Sequence, residues 1–187
     1  MMRWYNVLIF PSIVLLLWSC ETTLQPKPLA GLRLDYPTAD YTSLEANYPF
    51  AFEINRQATL EAQAKNTPNL YYPNMKATLY LSYKPVKNNI KALLNDAYKL
   101  PSKHLQKAEE IPERLFINEE NNVYGTLFTV VGDAASQMQF FATDSTKHFL
   151  VGALYFYSKP NYDSLLPAID YLQKDIIHLM ETLAWKE

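Results

Sequence analysis

The densest group of side chains able to do chemistry is "TDSTKHF", residues 143–149, where Asp144, Ser145, Lys147 and His148 fall within five positions. A serine nucleophile needs an imidazole within hydrogen-bond reach and a third group that orients the imidazole. Members of such triads normally come from separate elements, whereas Asp, Ser and Thr in close succession are ordinary turn residues. The sequence also lacks a G-x-S-x-G elbow. We therefore predict a hairpin turn in which Asp144, Lys147 and His148 form an interaction surface, with no catalytic residues.

Metal, cofactor and acid–base patterns are weaker still. The histidines His104, His148 and His178 are scattered without metal-ligand spacing, so we predict neither a metal nor a cofactor, and we predict a solvated His178 on the last helix. Two acidic pairs, 109–110 and 119–120, fall in predicted loops without the spacing of a calcium loop. Glycosidase carboxylates can be far apart in sequence, and the many tyrosines could line a sugar groove. A periplasmic hydrolase or glycan-binding module is therefore the alternative function.

Cys20 points to a different chemistry, because it is the only cysteine and directly follows an apolar run. That run, residues 4–18, follows Arg3 and is shorter than the roughly 20 residues that a membrane span needs. It suits the apolar region of a secretory signal peptide. Leu17 at −3, Ser19 at −1 and Cys20 at +1 resemble the lipobox of bacterial lipoproteins, in which the thiol receives a diacylglyceryl group. The alternative is an ordinary signal peptide whose apolar region ends in cysteine.

Composition and charge define the class of the rest of the chain. With 187 residues, 49% of them hydrophobic, the chain is long enough for one globular domain. A net charge of −2 gives no nucleic-acid footprint, and four glycines leave no phosphate-binding loop. We predict a lipoprotein signal peptide over 1–19, a lipidated, proline-bearing tether over 20–31 and a single α+β domain over 32–187.

Hydrophobic periodicity predicts the elements of that domain. Short extended pieces between breakers are predicted at residues 32–37, 48–55 and 69–74, and residues 77–84 alternate as a half-buried strand. Residues 88–100 have the apolar spacing of a helix that Pro101 bends or ends, capped by Asn88 or Asn89. Three further strand-like runs, joined by connections too short for a parallel crossover, predict an antiparallel meander. These runs span residues 123–131, 138–144 and 148–157.

The C-terminal segment is predicted to be a long amphipathic helix. Asp163 or Ser164 could cap it, which would place Pro167 in its first turn, and Asp170 and Lys174 are spaced as an i,i+4 pair. Together these elements predict an α+β fold in which a middle helix and this helix pack on an antiparallel sheet. The apolar stripe of the last helix consists of Leu165, Ile169, Leu172, Ile176, Leu179 and Leu183.

The chain resembles a known family over most of its length after Cys20. Residues 122–186 resemble the C-terminal half of the gliding-motility lipoprotein GldD family, most specifically in "GDAAS", "TDSTKHFLVGALYF" and "PNYDSL". The pieces "GLRLDYP", "YPFAFEI" and "ATLYLSYKPVKNNIKALLNDAYKL" are similar to earlier parts of the same family. Related chains often carry cysteines around Asn47 and Asn69. This sequence has no cysteine near those positions, so a disulfide that related chains form there is not expected in this chain.

The resemblance implies a role in the bacterial envelope. The family belongs to the machinery for gliding motility and type IX protein secretion, and its members are lipoproteins without known catalytic residues. It implies a non-enzymatic scaffold or assembly component, whose partners are other gliding and type IX secretion lipoproteins and ring components. The lipid would anchor the chain to a membrane with its domain in the periplasm, on the inner leaflet of the outer membrane or the outer leaflet of the inner membrane.

Overall fold

The computed structural model of the chain describes residues 35–44, 47–62 and 67–186. The signal peptide, Cys20 and the tether predicted from the sequence lie outside these residues. The elements of the described residues include two α-helices, α1 (Ile90–Ser102) and α2 (Tyr162–Thr182), and a short 3-10 helix (Pro73–Met75). The strands are, in chain order, β1 (Tyr41–Ser43), β2 (Phe50–Ala51), β3 (Glu53–Asn55), β4 (Thr59–Ala62), β5 (Pro68–Tyr72), β6 (Ala77–Pro85), β7 (Ala108–Glu110), β8 (Glu113–Asn118), β9 (Val123–Thr129), β10 (Val131–Gly132), β11 (Ser136–Thr143), β12 (His148–Phe156) and β13 (Ala184–Trp185).

Seven of the strands form one antiparallel sheet in the order β4-β5-β6-β12-β11-β9-β8. The meander predicted from the sequence is confirmed, because β9, β11 and β12 are neighbours in the sheet and follow one another in the chain, with only the two-residue β10 between β9 and β11. The predicted strand over 77–84 is also confirmed as β6, which pairs with β12 over its whole length. The sheet therefore brings the middle of the chain against its C-terminal half.

The two helices pack on opposite faces of this sheet. Alternation along β11 directs Phe140 into a core with α2, while its neighbour Phe141 packs with Leu93 and Ala97 of α1. The face under α2 carries the larger apolar cluster, and α1 covers only part of the other face. The predicted α+β class, with a middle helix and a long C-terminal helix on an antiparallel sheet, is confirmed.

Helix α2 begins earlier than the sequence suggested. Asn161 is its N-cap residue, and the Asn161 side-chain oxygen accepts a hydrogen bond from the backbone N–H of Ser164. The predicted cap at Asp163 or Ser164 is therefore wrong, and Pro167 lies one turn further into the helix than expected. The predicted stripe is confirmed: Ile169, Leu172, Ile176 and Leu179 are buried in the helix, Leu165 is half-buried, and Leu183 is buried just after the helix ends. The Asp170–Lys174 pair is confirmed at 2.9 Å.

Helix α1 has its N-cap at one of the two predicted residues and ends slightly later than predicted. Asn89 occupies the N-cap position, but its side-chain oxygen accepts from the backbone N–H of Lys87, outside the helix. Pro101 is buried in the last turn, and the helix continues to Ser102. The helix thus ends one residue after the proline.

A layer of short strands lies over α2 and was only partly predicted. β1 pairs with β3, and β2 pairs with β13 at the end of the chain, where Ala51 faces Ala184. β2, β3 and β5 fall in the predicted extended pieces, whereas β1, β4, β7, β8, β10 and β13 were not predicted. Among the described residues, no helix combines the length and apolar character needed to cross a membrane.

Candidate interaction site

The segment 143–149 forms the hairpin turn between β11 and β12, as predicted. The Asp144 carboxylate is directed into the turn: its Oδ1 accepts the backbone N–H groups of Thr146, Lys147 and His148 at 2.7–3.0 Å. Its Oδ2 accepts the Thr146 hydroxyl at 2.8 Å. Partial burial opposes ionisation, but these hydrogen bonds outweigh it and lower the pKa of Asp144 to about 2. The ionised Asp144 carboxylate therefore stabilises the turn through these hydrogen bonds.

Ser145 lies within the turn and is held there through its backbone. Its backbone adopts a φ of 66°, in the left-handed region, and its N–H donates to the Thr143 hydroxyl at 2.9 Å. The same hydroxyl donates to the carbonyl of His148 at 2.6 Å. The His148 Nδ1 atom is hydrogen-bonded to the Tyr83 hydroxyl. The segment is therefore held as a turn by local hydrogen bonds, as the composition of the sequence indicated.

His148 lies between two aromatic side chains at the start of β12. Its Nδ1 is 2.9 Å from the Tyr83 hydroxyl, and its ring stacks on the Trp185 indole, with centroids 5.1 Å apart and 6° between the planes. Burial lowers the pKa of His148, Asp144 raises it and Lys147 lowers it, with a net lowering. The imidazole is thus neutral at pH 7, in keeping with a packing and hydrogen-bonding role.

Asp144, Thr146, Lys147 and His148 of this turn line part of a cleft of about 560 Å³ at one end of the sheet. The β11–β12 turn forms one wall and the β8–β9 turn, with Asn122 at a φ of 51°, forms another. Strand β13 closes the third side, where the Trp185 Nε1 donates to the Asn122 carbonyl at 3.1 Å. The cleft is lined by Glu120, Asn121, Asn122, Asp144, Thr146, Lys147, His148, Ala184, Trp185 and Lys186.

The structure brings together the three residues predicted as an interaction surface. Asp144, Lys147 and His148 all line the cleft, with Lys147 exposed and the other two half-buried. Sequence reasoning missed Trp185, which is the largest side chain that lines the cleft. Nothing local could have indicated it, since Trp185 reaches His148 only because the chain turns back after α2.

The remaining histidines and acidic pairs do not converge. Among the described residues, no group of three or more His, Cys, Asp and Glu side chains is arranged to hold a metal ion. The pair 109–110 lies in β7 and not in a loop, whereas 119–120 lies in the β8–β9 turn. The prediction of a solvated His178 is wrong: its Nε2 lies 2.8 Å from a Glu53 carboxylate oxygen and its ring stacks on Tyr41 with centroids 3.6 Å apart. The layer of β1 and β3, of which only β3 was predicted, covers this flank of α2.

A buried polar cluster fixes the same layer to α2. Asp175, only 4% exposed, accepts the Tyr41 hydroxyl at 2.8 Å and the Asn55 amide at 2.9 Å. Asn55 also donates to the Tyr171 hydroxyl at 2.9 Å. Burial raises the pKa of Asp175, and the hydrogen bonds from Tyr41 and Asn55 only partly offset it. The cluster therefore fixes β1 and β3 to α2.

The family of the chain follows from its sequence match. Residues 21–185 match the family model described as gliding motility lipoprotein GldD. The chain belongs to the GldD family. Membership confirms the resemblance found in the sequence and makes this chain a member of a family of gliding motility lipoproteins, which are associated with the cell envelope. Among curated proteins, none matches the chain.

One solved structure is similar to this GldD-family chain. It is the solution structure of cyanobacterial PsbP (CyanoP) from Synechocystis sp. PCC 6803, with a TM-score of 0.49 and 7% sequence identity. The similarity covers 84% of this chain and 99% of the cyanobacterial one.

Proposed function

We propose that the chain is a non-enzymatic, lipid-anchored component of the machinery for gliding motility and type IX protein secretion. The observation that carries the proposal is the match to the GldD family over residues 21–185. In this role Cys20 carries the lipid, and the domain lies in the periplasm. Other gliding and type IX secretion lipoproteins, or ring components, are the partners.

The cleft between the turns supports a docking role better than a catalytic one. Its Asp144 carboxylate is saturated by the turn, and His148 is held between Tyr83 and Trp185. Preorganised groups of this kind give a rigid surface, which loses little conformational entropy when a partner binds. Lys147 offers an exposed charge in the cleft that Trp185 also lines, and enrichment in aromatic residues is typical of interface centres.

A complementation experiment tests the proposal. A strain lacking the gene is complemented with Ser145→Ala, Lys147→Glu or Lys91→Glu, and secreted type IX cargo and cellular protein level are measured. Lys147→Glu should reduce secretion and partner recovery after cross-linking, since a reversed charge at an interface slows or misdirects association. Ser145→Ala should secrete like wild type. Lys91→Glu is the matched control, because Lys91 is equally exposed but lies on α1.

Two results would contradict the proposal. Loss of secretion by a folded Ser145→Ala protein at normal level would indicate nucleophilic chemistry. Equal effects of Lys147→Glu and Lys91→Glu would show that the cleft is not the docking surface. Reversal of Asp144 is not used, because its loss would remove the hydrogen bonds that hold the turn.

A further inference from the structure

Strand β8 forms one edge of the seven-stranded sheet, and its outer side has no partner strand among the described residues. It runs for six residues, pairs with β9 without a bulge and holds neither proline nor lysine. Short length, bulges, proline and lysine are the features that usually protect an edge strand from pairing with another chain. β8 is therefore an unprotected edge.

The hydrogen-bond pattern with β9 shows which backbone groups of β8 point outward. The backbone N–H of Thr129 donates at 3.0 Å to the carbonyl of Pro112, which continues the β8–β9 register opposite it. In an antiparallel pair, hydrogen-bonded and non-hydrogen-bonded residue pairs alternate. The N–H and C=O groups of Glu113, Leu115 and Ile117 therefore point away from β9, and no other described residue bonds to them. The edge presents a row of free donors and acceptors.

The side chains of β8 add an apolar surface to this edge. Leu115 is 72% and Ile117 66% exposed, more than any other large hydrophobic side chain of the described residues. Both lie on one sheet face, where Ile117 is opposite the exposed Tyr124 of β9. Phe116, between them, points to the other face and packs against the core under α2. Exposed apolar side chains beside free backbone groups are typical of a surface that an added strand covers.

Negative charge surrounds the apolar centre of the edge. Residues 109–120 hold five glutamates and one basic residue, Arg114. All six side chains are exposed, and none of them forms an ion pair within the described part of the chain. An approaching strand with lysine or arginine at its ends is attracted to such a surface, and one with acidic ends is repelled. The glutamates are Glu109, Glu110, Glu113, Glu119 and Glu120.

We propose that β8 binds, as an added strand, an extended segment of a partner protein in which apolar side chains alternate and basic residues lie at both ends. The backbone of this segment bonds to the outward groups of Leu115 and Ile117, and its apolar side chains cover the same two residues. Its lysines or arginines lie beside the glutamates at each end of β8. The strand is already held in place, since the Asn118 amide donates to the Glu181 carbonyl of α2 at 3.3 Å, so little conformational entropy is lost on binding.

A second copy of this chain fits the edge less well. Antiparallel pairing of two β8 strands about Phe116 would set Leu115 against Ile117. It would also set Glu113 of each copy opposite Glu119 of the other. Like charges that face each other across strands are destabilising. The charges therefore favour a basic partner segment, and pairing of two copies becomes an outcome of the test.

Fluorescence anisotropy of a labelled probe peptide measures binding to the purified full chain in detergent. The probe alternates valine with threonine and has lysines at both ends, and it should bind wild type below millimolar concentration. Two matched peptides should each bind at least about tenfold more weakly. One has glutamates in place of the lysines, which reverses its charge. The other has proline in place of its central valine, which removes a main-chain donor.

Two protein variants locate the binding edge. Ile117→Lys places a charge on the β8 edge, as protected edges do, and should weaken binding of the probe by about tenfold. Leu60→Lys is the matched control, because Leu60 is 43% exposed on β4, the opposite edge of the same sheet. It should bind the probe like wild type. Both substitutions change an exposed side chain, so both proteins should melt close to wild type.

Amide hydrogen exchange, followed residue by residue by nuclear magnetic resonance, tests the pairing itself. In the free protein the outward amides of Leu115 and Ile117 should exchange fast, whereas the amide of Phe116, which points to β9, should exchange slowly. The probe should slow the exchange of the two outward amides. This alternation distinguishes an added strand from a peptide that contacts side chains alone.

Four results would overturn the proposal. The first is no binding of the probe at millimolar concentration, and the second is equal binding of the peptide with glutamate ends. The third is equal loss of binding in the Leu60→Lys and Ile117→Lys proteins. The fourth is slow exchange of the Leu115 amide without peptide that depends on protein concentration, which would show that a second copy covers the edge.

Discussion

At the scale of single residues, Gly152 shows how tightly the larger core is packed. A Cβ atom at this position would lie 2.0 Å from the Phe140 Cε1 and 2.6 Å from its Cζ, because the ring crosses directly over the glycine. We predict that Gly152→Ala lowers the free energy of unfolding by about 1–3 kcal/mol, the usual cost of overpacking. Urea unfolding measures it. The double variant with Phe140→Leu should lose less than the sum of the single losses, and simple additivity would contradict the contact.

Asp175 makes stability depend on pH in a direction opposite to that of most carboxylates. Its folded pKa is raised, mainly by burial, so its contribution to stability is fully present below the unfolded pKa and is lost as pH rises through the folded pKa. We predict that Asp175→Asn removes this loss, so that the difference in unfolding free energy between variant and wild type moves in the variant's favour as pH rises from 4. Urea unfolding at several pH values checks it. A difference that is independent of pH would contradict the prediction.

At the scale of elements, the stripe of α2 carries much of the stability. Ile176 is 2% exposed in the middle of that stripe. We predict that Ile176→Asp costs several kcal/mol, a large part of the roughly 5–15 kcal/mol of a typical domain, because a buried charge without a partner is very unfavourable. Thermal melting of the purified protein measures it. Lys174→Ala, on the exposed flank of the same helix, should change stability by less than about 0.5 kcal/mol. A melting temperature of Ile176→Asp near that of wild type would show that the stripe does not face the core.

The elements that could be predicted from the sequence are those whose hydrophobic periodicity matches the residues that they bury. β6, the meander strands and both helices have clear periodicity, and each was found close to its expected place. β8 was missed because Leu115 and Ile117 are 72% and 66% exposed while Phe116 between them is half-buried, so its pattern does not follow the core. In the cleft, Asp144 and Lys147 could be found from turn chemistry. Trp185 and the His178 environment could not, because both depend on contacts between distant parts of the chain.

At the scale of the whole molecule, membership in a lipoprotein family leads us to expect a lipid anchor at Cys20. Membership in a lipoprotein family and the sequence around Cys20 predict that Cys20→Ala abolishes incorporation of labelled palmitate and leaves the protein unprocessed or released from membranes. Labelling and cell fractionation check this. Ser19→Ala is the control, because it keeps a small residue before the cysteine and should be processed normally. A Cys20→Ala protein that is labelled and fractionates like wild type would exclude lipidation at this position.

The pairing of β2 with β13 has a kinetic consequence. Ala51 pairs with Ala184, and Tyr41 donates to Asp175, 134 positions away in sequence. The layer over α2 therefore depends on contacts between the first described strands and the C-terminal part of the chain. Contacts of such high sequence separation slow folding, since the entropy of closing a long loop is lost before the contact forms. A chain emerging from a translocation pore can form the β5–β6 hairpin at once. The β2–β13 pair closes only after residue 185 has emerged, so until then β2 lacks its partner strand.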